Sequence, residues 1–257
     1  MAALAQIRLN RSDFVALTTV SLLLALLVLR QGPSWTALWV TLAFAVAGWA
    51  LRGVDLGGGM AGFAVAYVVF AVGGWKLFAV LALVFALTLL ATLAGRGKKR
   101  ALGLAEPMGG RSAAQVAANL VVATAALVLL PAGLGIVVAL AALAEATADT
   151  VSSEIGEAFG SKTYLVTTLR PTPPGTNGGV SLVGTLAGIA AASAVAGVGL
   201  ISISATDAML VAVASVFGMI VDSVLGATLE NRGYLNNDVV NVMGTASAAV
   251  IAYVFCV

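Results

Sequence analysis

Residues 112–144 carry no charged side chain, and uncharged runs fill most of the remaining chain. A transmembrane helix needs about 20 predominantly apolar residues, and the runs approach that length. Residues 14–29 lie between Asp13 and Arg30, while 31–51 end at Arg52, 56–75 at Lys76 and 77–95 at Arg96. The 112–144 run is too long for one span. Pro131, Gly133 and Gly135 break it in two, and the second helix continues to about Phe159 despite Glu145, Asp149, Glu154 and Glu157. Residues 180–203, 208–229 (interrupted by Asp222) and 239–257 complete about nine helices. The expected fold is an all-α polytopic transmembrane bundle, one membrane domain over 1–257.

Composition closes off the alternatives. Hydrophobic residues make up 61% of the chain and charged ones 9%, against roughly 25% charged in a soluble domain. That excludes a water-soluble enzyme, and it excludes disorder, which needs the opposite balance. Histidine is absent, so His triads and His metal sites are absent too. Cys256, the one cysteine, can form neither an internal disulfide nor a Cys-rich zinc site. A net charge of +2 gives no basis for a nucleic-acid partner. The first run reads as a retained span and not a cleaved signal, because three more spans follow it at once.

Charge asymmetry supports the count and gives an orientation. With nine spans the connections alternate sides. One side receives Arg8, Arg11, Arg52, Arg96, Lys98, Lys99, Arg100, Arg111, Lys162, Arg170 and Arg232, and the other only Arg30 and Lys76, which together are all 13 Lys and Arg residues. The N-terminus is thus expected in the cytoplasm and the C-terminus outside. Four helices (1–95) are poor in polar residues. Five (112–257) carry nearly all the groups capable of chemistry, and a basic cytoplasmic connector (96–111) joins the two sets. Its simplest role is topology and contact with anionic lipid. The chain shows no convincing internal repeat.

Charged groups at membrane depth are costly and therefore candidates for function. In the string 145–156, Glu145, Asp149 and Ser152/Ser153 share a helix face. Glu154 lies about 140° from Asp149 round an ideal helix, so it joins that face only if the helix bends near Gly156. Carboxylates and hydroxyls are hard oxygen ligands suited to Mg²⁺. The alternative is a solvated helix end, which suits Glu157 better than Asp149.

A second string, 162–185, runs from Lys162 and Arg170 through a Pro-rich segment into a Gly-rich turn (Asn177, Gly178, Gly179, Ser181) that opens a helix. Free N–H groups at a helix start, with close backbone approach at glycine, make a phosphate cradle. Gly178 and Gly184 serve equally well for close helix packing. In the third string, Asp222 precedes Gly226 and Glu230 on one face, and Asn237 and Asn241 share a face of the next helix, after Asn236. Asp238 reads either as a site acid or as the cap of that helix. Arg111, Gln115 and Asn119 recur at i, i+4 and i+8, either lining the same cavity or bonding helices together.

The strings ADTVSSEIG (148–156), RPTPPGTNGGVSLVGTLAG (170–188), DSVLGATLE (222–230) and LNNDVVNVMGT (235–245) resemble the integral membrane family that includes plant and cyanobacterial phytyl-phosphate kinase. The resemblance spans most of the chain, densely from Arg111 to Thr245 and thinly in the first four helices. It implies transfer of a phosphoryl group from a nucleoside triphosphate, with CTP the candidate, to an isoprenyl monophosphate. Asp149, Ser153, Glu154, Asn177, Gly178, Gly179, Ser181, Asp222, Asn236, Asn237, Asp238 and Asn241 stand where the family's polar motifs stand. Glu230 departs from the Gln more often expected there, adding negative charge.

The expectation is therefore an isoprenyl-phosphate kinase with a cytoplasmic cavity and the lipid tail between helices. Asp149, Glu154 and Asp222 would act in catalysis and hold Mg²⁺, with Asp238 and Asn237 as further ligand candidates. The 177–181 turn would cradle phosphates, Lys162 and Arg170 would neutralise them, and Arg111, Asn119, Asn236, Asn237 and Asn241 would complete substrate binding. A lipid-phosphate cytidylyl or phosphoalcohol transferase needs the same groups. An ion-coupled transporter is the alternative from another class, with its carboxylates expected near the midplane.

Overall fold

The computed structural model describes residues 10–105 and 109–257. Arg8, counted above among the basic residues, and residues 106–108 of the connector lie outside the described residues. The elements are α1 (Arg11–Gln31), α2 (Trp35–Ala50), α3 (Leu56–Leu93), α4 (Arg96–Ala101), α5 (Ala113–Leu129), α6 (Ala132–Phe159), β1 (Thr163–Leu165), β2 (Pro171–Thr172), β3 (Gly179–Val180), α7 (Leu182–Gly199), α8 (Ala205–Leu225) with a π-helical turn (Gly226–Glu230), and α9 (Asn237–Cys256). Six helices are long and apolar enough to cross a membrane, and α2 and α5 are shorter apolar helices. Helix starts are written into the sequence. Asn10, Ser34, Asp55, Ser112, Ser181, Ser204 and Asn236 each accept a backbone N–H as N-caps.

A straight α3 of 38 residues would be ~57 Å long, nearly twice the ~30 Å hydrocarbon core. It is not straight. Gly74 takes φ 60°, ψ −157° inside it, a left-handed conformation that glycine tolerates without steric cost. The rings of Phe70 and Phe78 on either side then meet at 5.5 Å. Gly58 near one end packs on the Arg111 carbonyl, and Thr92 near the other donates to Glu154. Because Arg111 and Glu154 line one cavity, the two ends of α3 lie side by side. The helix is a hairpin of two rods, 56–73 and 75–93. With α4 too short to span, the described residues form nine rods, the number read from the uncharged runs.

The rods share two ends. At one, Asp13 accepts the Ala114 N–H at 3.0 Å. At the other, Arg30 donates to the Val128 carbonyl at 2.8 Å, so α1 and α5 run parallel. Gly133, Leu200, Ser204, Asp207 and Cys256 share a hollow at that second end. The first end gathers Arg11, Arg52, Arg111, the 96–100 cluster and the 160–181 segment, and is called the basic end below.

The post of the bundle is α6. It is buried along most of its length and packs against α3, α5, α7, α8 and α9. Its run of alanines lets neighbours approach closely, and Gly184 and Gly188 of α7 sit on the carbonyls of Ser152 and Ala148. The 160–181 segment departs from an all-helical reading. It forms a small antiparallel sheet in the order β2-β1-β3, with Thr163 opposite Thr172 and Tyr164 opposite Val180. Strands of two or three residues leave no alternation to read in the sequence. The basic connector also differs from a plain loop, because it begins with α4 and buries Lys99 completely.

Candidate functional site

A cavity of about 390 Å³ opens at the basic end between α5, α6, α8, α9 and the turn before α7. Arg111, just before α5, joins Gln115 and Asn119 of α5, and α6 contributes Asp149, Ser152 and Ser153. Residues 177–179 and Ser181 contribute the turn before α7, and Asp222, Glu230, Asn237 and Asn241 come from α8, its π-helical turn and α9. Asp149, Asn177, Asp222 and Asn237, drawn from four separate stretches of chain, thus meet in one space. Arg111 is the only basic side chain in the described lining.

Local structure explains each position. A parallel bridge to Val54 pins the Arg111 backbone. The Arg111 N–H donates to Gly53 at 3.1 Å, and its carbonyl accepts from Asp55 at 3.0 Å. That carbonyl occupies the place a Cβ on Gly58 would take, so the first four helices position a site residue. Ser112 and Gln115 form a capping box that starts α5, and Asn119 donates to the Gln115 carbonyl at 2.9 Å. Gly178, at φ 73°, lies against Ala227 and the Ser223 carbonyl, and Asn231 donates to the Asn177 carbonyl at 3.1 Å. The Gly-rich turn is therefore clamped onto the π-helical turn of α8. Such irregular turns inside helices recur at functional sites.

Asp149 and Asp222 line the same cavity and lie close enough for their charges to interact. Asp222 Oδ2 is buried with no hydrogen-bond partner among the described residues, and so is Glu145 Oε1. Glu145 sits one turn deeper, in space left by Gly218 and Gly244. Buried carboxylates without partners are expensive, and neighbouring acids are relieved either by a proton or by a bound cation. Among the described residues no three acids gather into one metal-binding group, so the four-acid set expected from sequence is not assembled. The pair Asp149–Asp222 remains, with the amide oxygens of Asn237 and Asn241 in the same lining. Few protein oxygens, with room for water and phosphate, suit Mg²⁺.

Four expectations need correction. Glu154 lines the cavity, yet α6 does not bend to bring it round. Its Oε1 accepts from Thr92 Oγ1 at 2.7 Å and its Oε2 is ion-paired with Lys99 Nζ. Lys99 also donates to the carbonyls of Ala91 at 3.2 Å and Thr92 at 2.9 Å. Glu154 is thus spent tying α4 and the second rod of α3 to α6. Asp238 turns away, into a hollow with Arg11, Ser12 and Asn236. Asn236 lines that hollow too and caps α9, accepting from Val239 at 3.0 Å. Lys162 and Arg170 are exposed and outside the lining.

Two further groups of the turn already hold one hydrogen bond each. The Ser181 hydroxyl accepts from Gly184 at 3.1 Å, and the Gly179 N–H donates to Thr176 at 2.8 Å. Thr92, Lys99 and the depth of Glu145 were not foreseen. The signal for the ion pair was a lysine within a helix-forming run, but its partner lies far away in sequence.

No solved structure matches this chain. An uncharacterized membrane protein of Synechocystis sp. is 37% identical over 72% of this chain and 76% of its own length. One from Methanocaldococcus jannaschii is 31% identical over 71% of this chain and 78% of its own. Protein VTE6, chloroplastic, of Arabidopsis thaliana is 43% identical over 40% of this chain, a match that covers 33% of that longer protein. The family model described as integral membrane protein DUF92 matches residues 39–249. Nine apolar rods, a polar cavity at one end and that match agree: the chain is an integral membrane protein and belongs to the DUF92 family.

Proposed function

We propose that the cavity transfers a phosphoryl group from a nucleoside triphosphate, with CTP the candidate, to a prenyl monophosphate. The observation that carries this reading is the convergence of Asp149, Asp222, Arg111 and the 177–179 turn at one end of an apolar bundle. A lipid phosphate anchored by its tail in the bilayer would present its headgroup at such a depth. The positive-inside asymmetry supports a cytoplasmic position for the basic end, where nucleotides are available. The resemblance to the family of phytyl-phosphate kinase supports the same substrate class.

The chemistry asks little of the side chains. An oxygen of the acceptor monophosphate bonds to the γ-phosphorus, the bond to the β–γ bridging oxygen breaks, and nucleoside diphosphate leaves. The acceptor oxygen is already anionic, so the absence of histidine as a general base is no obstacle. Rate comes from positioning and charge neutralisation. Asp149 and Asp222 would hold Mg²⁺, with Asn237 and Asn241 as neutral oxygen donors. Bound there, Mg²⁺ neutralises phosphate charge and templates the in-line arrangement. Arg111 supplies a planar, permanent cation to phosphate from the α5 wall. Ser152, Ser153 and Asn177 offer further hydrogen bonds.

A lipid-phosphate cytidylyl transferase would use the same groups but release pyrophosphate. An ion-coupled transporter fits less well, because the polar groups gather at one end. The test is incubation of purified protein with Mg²⁺, each nucleoside triphosphate and a panel of prenyl monophosphates, with products identified by mass. Prenyl diphosphate supports the kinase reading; its absence with every nucleotide refutes it.

A further inference from the structure

The first four helices have no part in the proposed chemistry beyond holding Arg111, yet they enclose a second space. An apolar groove of about 120 Å³ lies between α2, the two rods of α3 and α5. Its walls include Phe44, Phe85 and Leu89, and Gly48, Gly59 and Gly62 leave it open. The groove is not separate from the polar cavity. Arg111, Gln115 and Asn119 line both. Three basic side chains, Arg52, Arg96 and Arg111, line the otherwise apolar groove, and Arg111 also lines the cavity that holds the acidic pair.

We infer that this groove is the tail subsite of the lipid phosphate, holding the hydrocarbon next to the phosphate while Arg111 holds the headgroup at the junction. Two features of the structure carry this beyond a bare apolar face. Three shared polar residues make the groove continuous with the candidate site. Charge complementarity then selects an amphiphile whose head is anionic. The volume accommodates the phosphate-proximal part of a tail and leaves the remainder in the bilayer. The identification of that tail as prenyl rests on the kinase reading above.

Gly62 makes the inference testable. A Cβ built there meets nothing within 4 Å, whereas one on Gly58 collides with the Arg111 carbonyl. The space beside Gly62 therefore belongs to the groove and not to a packed neighbour. Gly62→Leu should fill the groove without displacing the helices, and Gly62→Ala should fill part of it.

The experiment uses the full chain in nanodiscs with a prenyl monophosphate bearing a diazirine on its first isoprenoid unit. Cross-links should map to the α2 and α3 walls, and unlabelled prenyl monophosphate should compete with them. Phosphatidylglycerol at equal concentration should not. Gly62→Leu should lose the cross-links and raise KM for prenyl monophosphate about tenfold or more, the scale of apolar pocket discrimination, with KM for nucleotide unchanged. Gly62→Ala should show a smaller shift in the same direction, which covers failure of the larger variant to fold. Transfer with wild-type KM in both variants, cross-links elsewhere, or equal competition by phosphatidylglycerol would overturn the tail subsite and leave the kinase standing. Wild-type protein that transfers nothing, yet cross-links in the groove with prenyl-specific competition, would overturn the kinase and leave the groove as a lipid-anion site.

Discussion

Asp149 of α6 and Asp222 of α8 face one cavity, close enough for their charges to interact. Asp222 keeps one buried oxygen without a partner among the described residues. Two buried acids so close are poor packing, and in the proposed mechanism they hold Mg²⁺. Asp149→Asn and Asp222→Asn should each lower phosphoryl transfer by about 100-fold or more while leaving insertion and size-exclusion behaviour intact. Retention of transfer by both variants would remove the pair from the mechanism.

Metal binding can be read without turnover. A ligand that binds only the folded state raises apparent stability by mass action. Millimolar Mg²⁺ should raise the melting temperature of the detergent-solubilised wild type and not that of Asp222→Asn. Chelation should abolish transfer, and Mg²⁺ should restore it. Equal Mg²⁺ stabilisation of both proteins would place the ion elsewhere.

Lys99 is wholly buried and its ammonium is spent on Glu154 and two α3 carbonyls. Removing one partner of a buried pair costs about 3–5 kcal/mol, whereas replacing both with apolar groups costs far less. Lys99→Ala and Glu154→Gln should therefore lower thermal stability sharply, and Lys99→Met combined with Glu154→Leu should recover much of it. If Glu154→Gln kept full stability and lost only Mg²⁺ dependence, Glu154 would be a ligand after all.

Of the three cations expected from the sequence to meet phosphate, Arg111 lines the cavity while Lys162 and Arg170 do not. Arg111→Ala should reduce kcat/KM by about 100-fold, the scale of a lost charge-assisted phosphate contact. Lys162→Ala and Arg170→Ala, on exposed side chains, should change stability by less than about 0.5 kcal/mol and leave kcat/KM within a few-fold. A large loss in either lysine or arginine variant would reinstate the neutralising role read from the sequence.

The carbonyl of Arg111 fills the space above Gly58, so Gly58→Ala must push the two apart. The expected result is a rise in KM for the lipid phosphate together with a lower melting temperature. Gly97→Ala, where a Cβ meets nothing within 4 Å, is the matched control and should be silent in both assays.

The spans were legible because charges punctuate them. Lys76 marks the turn that Gly74 makes, and Asp149 and Asp222 stand out because apolar residues surround them. Arg111, Gln115 and Asn119 could be aligned because a helix fixes their spacing. What the sequence hid was direction and distance. Lys162 and Arg170 neighbour the Gly-rich turn in sequence, but the short sheet sends them outward. Asp238 follows Asn237 directly and faces the other side of α9. The Lys99–Glu154 pair joins segments that no local pattern connects, and Lys99 looks like one more member of a basic cluster.

The account stands most directly on the products formed by wild-type protein and by Asp222→Asn with Mg²⁺, a nucleoside triphosphate and a prenyl monophosphate, resolved by mass spectrometry. It predicts prenyl diphosphate and nucleoside diphosphate in equal amounts from the wild type and at least about 100-fold less of both from the variant. A nucleotidyl lipid with pyrophosphate, no product from wild type with any nucleotide, or equal product from both proteins would contradict it.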